Sequence, residues 1–361
     1  MPSVPFLNKN GDTSGPPHRR LNRTTRDVGH HGVMRILAAP DKFRGTATAS
    51  EAAAAIALAG RSVGARTRQV PMSDGGEGFT EAFGGANKVS IVTGPLGEPV
   101  PAGWRLDGKT AVIEMAQASG LLLVGGAEGN DPIAASTAGT GELIVEALDA
   151  GAKRIFVGHG GSATTDGGLA ALRALFPAAR LKGIELVAAV DVRCPFLEAA
   201  VQYAPQKGAT PNQVQLLTRR LERLAQVYLE DHGVDVTTLE GGGAAGGLAG
   251  GLAAVGATIE SGFELIADEQ DLTTAVEESD LVVTGEGFLD EASFDGKVVG
   301  GLAALAAEFD VPVLVVAGEV FDGVGERVEA ISLVGAYGRE RAMNDTAACI
   351  TDAVTGYLAA R

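Results

Sequence analysis

The chain has 361 residues, 45% of them apolar, with a formal net charge of −16. Such acidity excludes non-specific binding to nucleic acid or to an anionic membrane surface, yet leaves room for a locally positive cleft that takes an anionic small molecule. Only two cysteines occur, Cys194 and Cys349, which excludes a disulfide framework or a cysteine-built metal site and fits a reducing cytoplasm.

Residues 1–33 are rich in Pro, Gly, Asn and Arg, carry a net +3, and lack apolar periodicity. They are expected to form a disordered tail. A mis-assigned gene start is the alternative, because Met34 stands directly before the first strand. From there strands and helices alternate. "RILAAPD" (35–41) reads as a buried strand and "TASEAAAAIALAG" (48–60) as a helix, capped by Ser50 and stopped at Gly60. "TRQVPM" (67–72) is the second strand. The middle of the chain has a different grain. "VSIVTG", "GWRLDG" and "TAVIEMA" (89–116) suggest a small antiparallel group, followed by a helix at 140–151 and the strands "RIFVGH" and "ELVAAVDV". Residues 211–230 read as a charged amphipathic helix, and 244–256 as a tightly packed Gly/Ala helix. Three more strands follow at 280–287, 311–320 and 330–337. A helix at 297–308 joins the first two, and a last helix at 344–360 takes Asn344 as its cap.

Short apolar runs joined by helices point to parallel pairing. The expected architecture is α/β: a doubly wound five-stranded parallel sheet made from residues 34–75 and 279–361, with a second α/β domain, 76–278, inserted between them. No apolar run approaches the ~18 residues of a membrane span.

The 51 glycines are about twice the usual ~7%. They fall with acids at strand ends, where open α/β sheets bind ligands. Asp41 ends the first strand and "SDGGEG" (73–78), with Asp74 and Glu77, ends the second. "GHGGSATTDGG" (158–168) follows "RIFV", Asp191 ends "LVAAV", and "TGEG" (284–287) carries Glu286. Glycine loops offer backbone N–H groups to phosphate oxygens. An aspartate such as Asp166 beside phosphate is repelled unless a hard divalent cation such as Mg²⁺ lies between, and otherwise only caps the helix that follows. Lys42, Arg44, Lys207 and Lys297 are the scarce cations nearby. His159 reads as a packed, hydrogen-bonded side chain rather than a base. "GGGAAG" (241–246) matches a dinucleotide fingerprint, but the polar "VDVTTLE" before it is a poor buried strand. No P-loop, H-E-x-x-H, C-x-x-C or G-x-S-x-G pattern occurs.

Taken together, "APDKFRGTATASE", "SDGGEG", "GGSATTDGG", "PQKGAT", "GGGAAGGL" and "TGEGFLD…GK" resemble the bacterial glycerate kinases of the type that makes 2-phosphoglycerate, from about Met34 to the C-terminus. The resemblance implies transfer of the γ-phosphoryl group of ATP to a hydroxyl of D-glycerate, with Mg²⁺. It implies a flavodoxin-like sheet domain with a second α/β domain inserted and the active site in the cleft between them; closure of that cleft is expected only by analogy with other kinases. On this reading Gly160, Gly161, Ser162, Thr164, Gly243, Gly246, Lys207, Glu286 and Lys297 hold the nucleotide. Asp166, Asp191 and Asp290 hold the metal. Lys42 and Arg44 bind the substrate carboxylate, and Asp191 or Asp166 accepts the hydroxyl proton. Partners are small molecules, a homodimer is allowed, and the location is cytoplasmic. Phe288 and Ala292 depart from the family pattern. They keep open a kinase for another short hydroxy acid; a non-catalytic sugar-acid sensor is the remaining alternative.

Overall fold

Most strands form where Val, Ile, Leu and Ala run together, whereas the polar Arg66–Gln69 pairs at a sheet edge. In the computed structural model, which describes residues 33–294, 296–321, 323–324 and 327–360, they come in this order. β1 (Arg35–Ala38) and β2 (Arg66–Gln69) are followed by β3 (Lys88–Thr93), β4 (Pro99–Asp107), β5 (Thr110–Glu114), β6 (Arg154–Gly158), β7 (Glu185–Val190) and β8 (Thr258–Ser261). β9 (Leu281–Leu289), β10 (Val313–Val320) and β11 (Glu329–Ser332) complete the set. The tail expected at 1–33 lies, except for Val33, outside the described residues.

β1, β2, β9, β10 and β11 form the expected five-stranded sheet in the order β11-β10-β9-β1-β2, with every neighbouring pair parallel. Counted along this sheet's own strands the order is 2-1-3-4-5, the flavodoxin-like arrangement, whose switch point lies between the first and third strands. Here that is the gap between β1 and β9. The remaining strands form a six-stranded sheet, β3-β4-β5-β6-β7-β8. Its β3-β4 and β4-β5 pairs are antiparallel, as the sequence suggested, and the rest are parallel. Both sheets lie within one compact unit, Met34–Arg361.

One apolar layer is common to the two sheets. Leu37 of β1 and Val282 of β9 share a buried cluster with Val112 of β5, Phe156 of β6 and Val187 of β7. Leu265 and Leu302 fill it from the helices Gly262–Glu269 and Val298–Glu308. Among the described residues, no helix is long and apolar enough to cross a membrane.

Several boundaries differ from expectation for identifiable reasons. The first helix is Ala49–Ser62, started by Thr48 rather than Ser50. Thr48 Oγ1 accepts from the Glu51 N–H while Glu51 returns a bond to the Thr48 N–H, a capping box. Gly60 is buried inside that helix, not at its end, because a Cβ there would lie 2.5 Å from Thr67 Oγ1. The expected strand at 330–337 splits: β11 stops at Ser332, whose Oγ accepts from the Gly335 N–H and starts the helix Leu333–Tyr337. Asn344 ends a short helix, and Asp345 precedes the last one, Thr346–Ala359. "TGEG" does not end its strand. β9 continues through Phe288 to Leu289, paired with β10 as far as Val320. The Gly/Ala helix Ala244–Ala254 is broken near its start, where Ala245, Gly246 and Gly247 all take left-handed dihedrals.

Candidate active site

The switch point places Asp41, just past β1, beside Glu286 of β9. The loop after β2 brings Asp74 to the same place. Lys42 Nζ lies between the two aspartates, 3.8 Å from Asp41 Oδ1 and 3.9 Å from Asp74 Oδ1. From the other sheet, β7 delivers Asp191, which feels the charges of Asp74, Lys297 and Lys42. Asp74 is thus the centre of the group: it acts on Asp41, Asp191 and Glu286 alike.

Crowded carboxylates in a buried place hold protons more tightly. Burial, with Asp74 and Glu286 adding to it against Lys42, pushes Asp41 up to about 7. Burial and then Asp74 push Asp191 up to about 6. Glu286 is raised for the same reason, and its Oε1 is buried without a hydrogen-bond partner. The folded chain therefore favours neutral Asp41. That contribution to stability is complete below the ordinary aspartate value of ~3.9 and is lost as pH rises through about 7. We expect the melting temperature of the ligand-free protein to fall more steeply between about pH 5 and about pH 8 in wild type than in Asp41→Asn. Equal slopes in scanning calorimetry would refute the buried-charge account.

Four adjoining cavities run along this edge. One, about 320 Å³, is lined by Asp41, Lys42, Arg44, Asp74, Asp290 and Lys297 among others. It shares Lys297 with a neighbour that also contains Asp191. Asp191 in turn borders a cavity of about 340 Å³ lined by His159, Gly160, Gly161, Ser162 and Lys207. On the far side of Lys42 lies the fourth, with Glu77, Glu114 and Gln117. The structure therefore brings together Lys42, Arg44, Gly160, Gly161, Ser162, Asp191, Lys207, Glu286, Asp290 and Lys297. Phe288 lines the cavity beside Arg44, with its ring 6.3 Å from that of Phe321, and Ala292 lines the one beside Lys297.

Asp166, Thr164, Gly243 and Gly246 line none of these four cavities. Asp166 is a brace. Its Oδ2 accepts from the Thr137 N–H at 3.0 Å and from Thr137 Oγ1 at 2.8 Å, and Oδ1 accepts from the Gly168 N–H at 3.1 Å. Thr137 Oγ1 also accepts from the Ala171 N–H. One carboxylate thus ties the start of the helix Ala138–Asp149 to the helix Leu169–Ala174. Asp290 caps its own turn through the Ser293 N–H. Asp166, Asp191 and Asp290 do not form one centre: among the described residues no three His, Cys, Asp or Glu groups converge as a metal-holding cluster.

Gly243 and Gly246 are buried in packed backbone, not open to a phosphate. A Cβ on Gly246 would lie 2.0 Å from the Thr164 carbonyl oxygen, and one on Gly243 2.4 Å from that of Pro195. Thr164 is fully buried and offers its carbonyl to Lys207 Nζ at 2.7 Å. The other donor bond of Lys207 goes to Ser162 Oγ, also at 2.7 Å, and burial pulls the ammonium down to about 7. Gly160 serves close approach between loops. A Cβ there would lie 2.3 Å from Gly76 Cα, so "SDGGEG" and "GHGG" meet backbone to backbone. His159 is buried, its Nδ1 bonded to the Val157 carbonyl at 2.8 Å and its Nε2 without a partner.

Two residues acquire importance that the sequence reading did not give them. In sequence Asp74 is one strand-end acid among several, and Glu114, which ends β5, follows the same rule. It is buried, accepts from the Gly78 N–H, and burial raises it to about 6.

Comparison with known proteins agrees with this architecture. The chain matches the model described as "Glycerate kinase family" over residues 36–176 and 177–357. It is 39% identical over 332 residues to the "Glycerate 2-kinase" of Escherichia coli, covering 81% of this chain and 87% of that protein. It is 38% identical to the "Glycerate kinase" of Bacillus subtilis, covering 80% and 85%. A crystal structure titled as a putative glycerate kinase 2 from Salmonella typhimurium superposes with a TM-score of 0.75 at 33% identity, covering 91% of this chain and 99% of that one. A strand-end cluster of acids and lysines at a flavodoxin-like switch point, matched along nearly the whole described chain, identifies it as a member of the glycerate kinase family, an enzyme that phosphorylates glycerate.

Proposed function

We propose that the enzyme transfers the γ-phosphoryl group of ATP to a hydroxyl of D-glycerate, with Mg²⁺, and releases 2-phosphoglycerate. The observation that carries this reading is the convergence of Asp41, Asp74, Asp191 and Glu286 with Lys42 and Lys297 at one strand edge. Phosphoryl transfer asks a protein mainly for positioning and charge neutralisation, and this edge has both. The name of the Escherichia coli relative, a glycerate 2-kinase, supports the regiochemistry.

The donor set fits Mg²⁺, which takes oxygen ligands and commonly binds through one or two carboxylates plus substrate phosphates rather than a full protein cage. The unpartnered Oε1 of Glu286, with Asp74 or Asp191, would hold it. Bound there, it would offset phosphate charge. The protein's own groups do the remainder. Lys42 and Arg44 take the glycerate carboxylate. Lys297 faces the phosphates, with Gly160, Gly161 and Ser162 forming the wall and Lys207 holding Ser162 from behind. Asp191 borders both the glycine-loop cavity and the Lys297 cavity. It sits where an acceptor hydroxyl would meet a phosphate, and its raised affinity for protons suits a group that accepts one. The two sheets support a two-domain reading, 34–75 with 279–361 and 76–278, as two walls of one groove.

Product analysis tests this. Enolase alone should convert the product to phosphoenolpyruvate, because 2-phosphoglycerate needs no mutase. Signal only after mutase is added would make the enzyme a 3-kinase. Full turnover in excess EDTA would remove the metal, and turnover of another hydroxy acid but not glycerate would favour the reading that Phe288 and Ala292 keep open.

A further inference from the structure

We propose that a second cavity, outside the groove, binds a small amphipathic anion: an apolar body carrying one acidic headgroup. It encloses about 610 Å³, within the ~300–1,000 Å³ of small-molecule sites. It shares no lining residue with the four groove cavities.

Its floor is apolar, made by Ile133, Leu169, Leu224 and Val227. Four arginines, Arg173, Arg219, Arg220 and Arg223, surround it, in a chain whose net charge is −16. Two of them are engaged: Arg220 donates to the Ile133 carbonyl at 3.0 Å, and Arg223 to Gln226 Oε1 at 3.0 Å with Glu230 4.0 Å away. Among the described residues, Arg173 and Arg219 have no carboxylate within ion-pair distance. An arginine-bearing helix face is usually just solvated. Here a second observation points to a ligand: Thr165, 1% exposed, lines the same cavity with an Oγ1 that has no hydrogen-bond partner. A buried hydroxyl left unpaired costs stability; this oxygen is closed to solvent, so a headgroup held by the arginines would bond it only after a small shift of the cavity wall. Apolar floor, free guanidinium groups and orphan hydroxyl together specify the class. A neutral lipid would leave the arginines unused, and a small inorganic anion would leave the floor wet. Asp166, at the same wall, has its oxygens already occupied by Thr137 and Gly168.

Titration calorimetry with octanoate on the full chain tests this, with octyl phosphate as the second headgroup and octanol as the uncharged control. We expect one octanoate per chain, and binding unchanged when saturating ATP, Mg²⁺ and glycerate are present. In the double variant Arg173→Glu/Arg219→Glu affinity should fall at least ~10-fold, with octanol unaffected. Val227→Trp, which fills the floor, should abolish binding of all three probes. Both variants should keep the wild-type kcat, which shows that they fold. The relative affinity of octanoate and octyl phosphate identifies the headgroup. No octanoate binding, equal affinity in the arginine variant, or displacement by ATP or glycerate would overturn the proposal.

Discussion

Asp191→Asn is expected to lower kcat by at least ~100-fold, the low end for loss of a positioned acid–base group, while leaving the fold as stable as wild type or more so. The two halves of this expectation have one origin. Asp191 lies at the boundary of two groove cavities and is raised to about 6 by burial and by Asp74. An amide of the same shape keeps the packing, removes a strained charge, and cannot accept a proton. Stability should therefore gain most at high pH, where the wild-type carboxylate is ionised at a cost. Steady-state kinetics and denaturant unfolding at about pH 8 check both. Near-normal turnover would move the base elsewhere in the groove, with Asp74 next.

Asp166→Ala is expected to do the reverse. The folded chain should lose about 1–3 kcal/mol of stability, because the N–H and hydroxyl of the fully buried Thr137 would lose their acceptor. Turnover by the fraction that remains folded should stay within about tenfold of wild type, well short of the loss expected for an acid–base group. Urea titration followed by tryptophan fluorescence of Trp104, the one tryptophan, reads the first half, and kcat below the transition reads the second. A stable but inactive variant would return Asp166 to the chemistry and displace the brace assignment.

The pair shows what kind of information a sequence carries. Asp166 and Asp191 both follow buried strands and both neighbour polar or glycine-rich turns, so pattern alone gives them equal standing. They separate only when Thr137, 29 residues away along the chain, closes on one of them. The membership of the five-stranded parallel sheet was legible because apolar runs such as 35–38, 281–285 and 313–317 must bury both faces. The helix starts were less so: Thr48 stands two residues before Ser50, Asp345 stands next to Asn344, and all four residue types can cap. Glycines misled in a specific way. Gly243 and Gly246 carry the composition of a phosphate loop, but backbone-to-backbone packing asks for the same residue. Asp74 was visible as a residue and invisible as a centre, because its weight comes from Asp41, Asp191 and Glu286, which lie on three different elements.

The apolar layer that the two sheets hold in common limits how this enzyme can shut on its substrate. A hinge that swung one sheet away from the other would have to wet Leu37, Phe156 and Val282, all fully buried, at ~1.5–3 kcal/mol each. A ligand held at ~1 mM returns only ~4 kcal/mol in total. Small excursions at the lip of the groove, where Phe288 and Phe321 are half-exposed, would cost less than a hinge through that layer.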